Sequence, residues 1–491
     1  MSKAKIFYFS LTDEQTKEEK LAWFSNTKLG NIDFDHVQPD ARANWINLTN
    51  NDFDDFLPLI NKEVKAGKSE EAIFKLFSAG IKTQRDEWVY DFSKESLIEK
   101  IKYLIDAYME KLLQGTTREF DIKWDREINK YLERKISKTF EASQITQSLY
   151  RPYIKKYFYF DKHFNGMIYQ MYNIFPNTSK NNICICCTDA GTQSPFMITA
   201  TKYIPDLHLV GTAAQSLPLY RYDKERNRLE NITDWGLTQF QTHYQDQTIT
   251  KENIFHYVYA VLHNPDYRQK YEQNLKRDFP RIPFYNDFFQ WVEWGQKLME
   301  LHINYETIEP YPLKRVDIST DKTPKAKLKA DKVANKIILD DVTTLENIPQ
   351  IAWEYKLGNR SALEWILDQY KAKKPKDPTI AEKFNTYKFA DYKEQVIDLL
   401  TRVCTVSFET MQIIESMDDE KYPEPTADLA PYLKHYGRSK AEQIQINQEG
   451  LAMLRRWREE KLSDEELEEA ETIWEEVKKS INKNRSRKLF S

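Results

Sequence analysis

Hydrophobic positions recur with two different periods along this chain, and the alternation between them divides it. Residues 5–11 (KIFYFSL) form an apolar run that predicts a strand. Residues 15–29 predict a helix, with Leu21, Phe24 and Leu29 on one side and charges opposite. Residues 36–58 are looser. Residues 72–81 and 87–92 predict two strands joined by Lys82-Thr83-Gln84-Arg85-Asp86. Ser93 can cap a helix running to residue 113, in which Leu97, Ile101, Leu104, Ile105 and Tyr108 recur at helical spacing; residues 124–136 continue helically. From 144 to 223 the period changes. Short runs rich in Ile, Tyr, Phe and Thr alternate with turn residues, which predicts a β-rich region, a twisted sheet or an open barrel.

After Asp234 the helical period returns, over residues 251–264, 265–277 and 286–305. Residues 238–247 (TQFQTHYQDQ) read as a polar loop rich in amides. Residues 322–336 are Lys-rich and aperiodic, the pattern of a mobile loop. Residues 336–341 predict a strand, and 349–355, 361–370 and 391–417 predict helices. A Pro-containing linker at 423–431 precedes two charged helices, about 440–461 and 464–484, in which acidic and basic residues alternate as in a solvated or partner-binding tail. No internal repeat is visible. The fold class that follows is α+β, in four parts: residues 1–80, a β-rich lobe over 81–235, a helical lobe over 236–417, and a charged helical tail over 418–491.

Composition narrows the function classes. A chain of 491 residues supports a large core and several domains. Net charge is −4, so the protein is not coated in basic charge, although a local basic cleft remains compatible with that balance. No run approaches the ~18 apolar residues of a membrane span, and the N-terminus lacks the order of a signal peptide, so the expected location is the cytoplasm. Cys184, Cys186 and Cys187 lack zinc-ligand spacing and read as free thiols in a buried strand. With 12 glycines there is little from which to build phosphate loops, and neither a P-loop nor a Gly-rich dinucleotide turn occurs.

Two stretches carry candidate chemistry. Asn264-Pro265-Asp266-Tyr267 follows an apolar run and differs by one residue from the Asn-Pro-Pro-Tyr loop with which amino-methyltransferases hold a flipped base. The same stretch also reads as a helix–Pro–helix junction, because Ile254, Tyr257, Val258, Val261 and Leu262 share one helical face and Pro265 suits a first helical turn. No cofactor loop lies upstream. Residues 150–160 (YRPYIKKYFYF) interleave basic and aromatic side chains on β structure. Arg151, Lys155 and Lys156 are therefore candidates for phosphate contacts, or form the wet face of a sheet. Arg85, Gln239, Gln241, Asn359 and Arg360 are candidates for base edges, since Arg suits guanine and Asn or Gln suits adenine.

Five stretches together resemble the C-terminal part of type ISP restriction–modification enzymes: residues 83–90 (TQRDEWVY), 150–153 (YRPY), 254–268 (IFHYVYAVLHNPDYR), 279–284 (FPRIPF) and 358–365 (GNRSALEW). The resemblance runs from about residue 5 to 417 and keeps the family's order. Those enzymes join a nuclease, a helicase-like motor, a coupling region, an adenine methyltransferase and a target recognition domain in one chain. The resemblance implies that residues 1–80 are a C-terminal remnant of the methyltransferase α/β fold and that the rest is the specificity region. It implies sequence-specific recognition of duplex DNA, with no catalytic residues and no metal site here. S-adenosylmethionine, ATP and Mg are then expected only on family domains outside this sequence, in the same chain or on a separate partner chain. The alternatives are an adenine methyltransferase in its own right and a protein-interaction scaffold.

Overall fold

The computed structural model describes residues 5–12, 15–37, 51–114, 122, 124–176, 181–319, 321 and 323–417. The 423–431 linker and the two charged helices of the tail lie outside the described residues.

The β-rich region resolves into two four-stranded sheets and a short hairpin, Tyr220–Tyr222 with Arg228–Glu230, rather than a barrel. In the first, the hairpin of Ile145–Arg151 and Ile154–Tyr159 is central; Tyr90–Asp91 pairs antiparallel on one side and Ile204–Pro205 parallel on the other. Its turn, Pro152-Tyr153, puts proline where φ near −65° is wanted and leaves Tyr153 at a φ of 60°. The second sheet orders Ser78–Ala79, Ala214–Pro218, Cys184–Thr188 and Ile198–Thr201, all antiparallel. Cys184, Cys186 and Cys187 are buried free thiols in it.

Helices form where apolar spacing and caps agree. Lys94–Gln114 starts after Ser93, whose hydroxyl accepts the N–H of Ser96 at 3.2 Å. Lys251–Val261 crosses Phe288–Ile303, and both bury most of their residues. Two buried cores result. One gathers Leu97, Ile101, Tyr108, Phe158, Trp353, Ile366 and Leu400 around the first sheet. The other gathers Phe53, Leu59, Phe74, Leu217, Tyr257, Trp291 and Leu298 around the crossing helices. Side chains on both sides of positions 80 and 235 share these cores.

Three expectations are corrected. Neither 72–81 nor 87–92 forms a strand throughout: only Ser78–Ala79 pairs as a strand in the first, and in the second Asp86–Val89 is one helical turn and only Tyr90–Asp91 pairs in the sheet. The amide-rich segment after Asp234 is a helix, Asp234–Tyr244, capped by Thr233 and facing the core with Phe240. The Lys-rich segment expected to be a loop holds a strand, Ala326–Asp331, at the edge of a third sheet ordered Lys314–Asp317, Thr343–Glu346, Lys336–Asp340, Ala326–Asp331. The 236–417 region is therefore not wholly helical.

Candidate functional site

The first sheet sets the site. In a strand, neighbouring side chains point to opposite faces. Lys156 and Ser148 are cross-strand partners, so Lys156 shares a face with Ser148 and Tyr150. Lys155 points the other way, where its ammonium meets Glu306 at 2.7 Å and Tyr203. A register shift between Leu149 and Arg151 turns Arg151 back to the Lys156 side. There its guanidinium lies 4.0 Å from the Tyr150 ring centroid and donates to Asp206 at 2.6 Å.

The 83–86 turn packs against this face. Gln84 has a φ of 65° and is exposed at its tip. The Thr83 hydroxyl donates to Asp86, which also accepts from the Tyr150 hydroxyl at 2.8 Å. Arg85 is half-buried and paired with Asp125, the N-cap of Arg126–Glu133. Tyr90, buried behind them, donates to Asp206 at 3.3 Å and meets Ser148 at 3.2 Å. Lys100 donates to the carbonyls of Glu87 and Tyr90, both at 2.7 Å, and pairs with Asp91.

Arg85, Asp86, Tyr90, Lys100, Tyr150, Lys156 and Asp206 line a groove of about 860 Å³ that also takes in the 371–376 loop, with Lys371, Lys373, Lys374 and Lys376. Burial sets the electrostatics. It raises the Asp206 carboxyl against the pull of Arg151, and it lowers Arg85 to about 10, which leaves that guanidinium charged at neutral pH. Lys156 is lowered most, to about 7, by burial and then by Arg151. Its ammonium sits 4.0 Å from the Tyr150 centroid and 4.7 Å from Phe92, an aromatic cage without an ion pair among the described residues.

Of the eight candidate residues, Arg85 and Lys156 line the groove, and Arg151 stands beside it, held on two lining residues, Tyr150 and Asp206. Arg360 is tied nearby: it stacks on Trp365 at 5.1 Å and pairs with Asp368 at 3.2 Å, and Asp368 also meets Lys373 at 3.5 Å. Asn359 is exposed in the two-residue turn of the same hairpin. Lys155 lies on the other face of the sheet. Gln239 and Gln241 are on the Asp234–Tyr244 helix, and the Gln241 amide donates to the Ile249 carbonyl at 3.0 Å. The four lysines of 371–376 escape a reading of the sequence although they are four basic residues in six, because nothing local shows that they face Arg85.

Asn264-Pro265-Asp266-Tyr267 has no catalytic geometry. Asn264 caps Pro265–Lys270, its side-chain oxygen accepting the Tyr267 N–H at 2.7 Å, and the Tyr267 ring is fully buried with its hydroxyl on the Arg281 carbonyl. Neither side chain is free to hold a base, so these residues do not fit the methyltransferase loop. Among the described residues no three His, Cys, Asp or Glu side chains gather to hold a metal ion, and no helix is long and apolar enough to cross a membrane.

Comparison with known proteins shows the family. A family model, the type ISP C-terminal specificity domain, matches residues 72–399. Among solved structures, a cryo-EM structure of a DrdV–DNA complex is 46% identical with a TM-score of 0.73, covering 85% of this chain and 44% of that one. A nuclease-deletion mutant of the type ISP restriction–modification enzyme LlaGI with a DNA substrate mimic is 28% identical with a TM-score of 0.65, covering 86% and 40%. The ATP-dependent type ISP enzyme LlaBIII bound to DNA is 26% identical with a TM-score of 0.66, covering 79% and 26%. The chain thus spans less than half the length of each. A comparison with curated protein sequences finds no match.

Proposed function

This chain belongs to the family of type ISP C-terminal specificity domains, and on that premise we propose that it recognises a target sequence in duplex DNA, in the cytoplasm, for a restriction–modification system. The observation that carries the reading is the likeness to the DrdV–DNA complex, 46% identity over 85% of this chain. In this reading backbone contacts fix register and carry no sequence information, while base-edge contacts read the target. The groove supplies cations for the first task. Gln84 and Asn359, both exposed at the tips of turns, supply amides for the second. Lys155, paired with Glu306, and Gln241, bonded within its own segment, are structural in this reading.

Methylation and cleavage belong, on this proposal, to domains outside the sequence or to a partner chain, and the chain itself holds no S-adenosylmethionine, ATP or Mg. The internal hydrogen bonds of Asn264 and Tyr267 support that division over a methyltransferase reading. Fluorescence anisotropy on random duplex pools, with and without a chain carrying the remaining family domains, tests the proposal. Salt-sensitive binding that enriches one sequence is the expected result; no binding under either condition overturns it. Calorimetry with S-adenosylmethionine separates the two readings, since clear one-to-one binding would sink the recognition-only assignment.

A further inference from the structure

The cations of the groove divide into paired and unpaired. Arg85 and Lys100 in the groove, and Arg151 beside it, are neutralised by Asp125, Asp91 and Asp206. Lys156 on the sheet and Lys371, Lys374 and Lys376 on the rim make no ion pair among the described residues; on that loop only Lys373 is paired, with Asp368. Unpaired positive charge therefore gathers on the rim of the groove, facing a Lys156 whose own charge burial disfavours. Like charges gathered this way repel unless an anion joins them.

The rim is also held in place. The backbone N–H groups of Lys376 and Asp377 both donate to the Glu87 carboxylate at 2.9 Å. The Trp88 indole N–H donates to Asp377 at 2.8 Å, and the other Asp377 oxygen caps Pro378–Lys383. Glu87 and Trp88 sit in the helical turn that follows Arg85. A merely solubilising lysine loop would need neither tether. Two side chains of the 83–90 stretch instead fix the height of the lysine rim above the sheet.

We propose that the 371–376 loop grips the phosphate backbone of duplex DNA, with Lys371, Lys374 and Lys376 as contact residues and Glu87 and Trp88 as the positioning residues that hold them over the groove. The inference rests on the reading of the chain as a DNA-recognition protein. It adds that the backbone grip lies on this loop, outside the 150–160 stretch that its composition singles out. Exposed ammonium groups on a fixed loop can follow phosphates without reading bases, so the grip is independent of sequence.

The test is the salt dependence of duplex binding by the full chain. Removing one lysine–phosphate interaction makes the slope of log K against log salt shallower by about 0.9. The triple variant K371Q/K374Q/K376Q is expected to flatten that slope by about 2 to 3 and to weaken binding about tenfold or more near 0.1 M salt, equally for target and non-target duplexes. Control changes K325Q/K327Q/K329Q, on and beside the exposed edge strand of the third sheet, leave the slope unchanged. Glu87→Ala, with every lysine present, also flattens the slope, and Glu87→Gln, which keeps one acceptor oxygen where the carboxylate has two, restores only part of it. Wild-type slope in the triple variant, with an unaltered circular dichroism spectrum, overturns the grip while leaving DNA recognition standing. Failure of the wild type to bind any duplex defeats the underlying reading instead.

Discussion

Burial works against the charge on Lys156, and the aromatic rings of Tyr150 and Phe92 return only part of what water would supply. Its folded pKa falls to about 7, whereas a lysine in an unfolded chain titrates near 10.4. Between those values the unfolded chain binds the extra proton, so raising the pH through the window favours the folded state. Lys156→Met removes this dependence. Urea midpoints across pH 6.5 to 9.5 are expected to show the variant ahead of the wild type at the acid end, with the gap closing as pH rises; parallel curves would contradict the assignment. A second residue separates structure from chemistry. Asn264 acts as a helix cap, so Asn264→Ala is expected to cost about 1 kcal/mol of stability, read as a lowered thermal midpoint, with duplex affinity unchanged below the transition.

The crossing of Lys251–Val261 and Phe288–Ile303 depends on one position. A Cβ on Gly295 would run into the His256 carbonyl, which is backbone and cannot swing aside. Gly295→Ala is expected to destabilise by about 1–3 kcal/mol or more, because overpacking must separate the two helices; differential scanning calorimetry checks it. These helices are legible in the sequence because their apolar stripes are long and their caps conventional. The edge strand Ala326–Asp331 is not. Only Leu328 among its residues is buried, and lysines on an edge strand discourage pairing with other chains, so its composition mimics a loop. Asp234–Tyr244 is hidden for a related reason. Its Thr, Gln and His residues carry no apolar period, and the half-buried Leu237 and buried Phe240 decide the outcome through tertiary packing. At the site, the basic–aromatic hairpin is visible from residue types, but a register shift and period-two geometry send Lys155 away and keep Arg151, which no pattern of types records. The 371–376 rim depends on a contact across about 290 positions, Glu87 to Lys376, that only the fold supplies.

At the scale of the molecule, the boundary expected near residue 80 becomes a testable statement about folding. Phe53, Leu59, Ile60, Ile73, Phe74 and Phe77 belong to the core built on the crossing helices, and Ser78–Ala79 forms the outer strand of the sheet holding the buried cysteines. Asn231 binds this segment from outside: its side chain accepts the Leu76 N–H at 2.7 Å and donates to the carbonyls of Leu76 and Pro218, both at 2.8 Å. Truncating one large core residue typically costs about 2–5 kcal/mol, against about 5–15 kcal/mol of total stability for a domain. Removing six such side chains together exceeds any such reserve. A chain beginning at residue 81 is therefore expected to lack a cooperative thermal transition and to lose near-ultraviolet circular dichroism, with DNA binding lost as a consequence. A cooperative transition in that chain would show that the N-terminal 80 residues are a separable unit. The opposite result makes residues 53–79 a structural part of the specificity fold, whatever their relation to the methyltransferase domain in longer relatives.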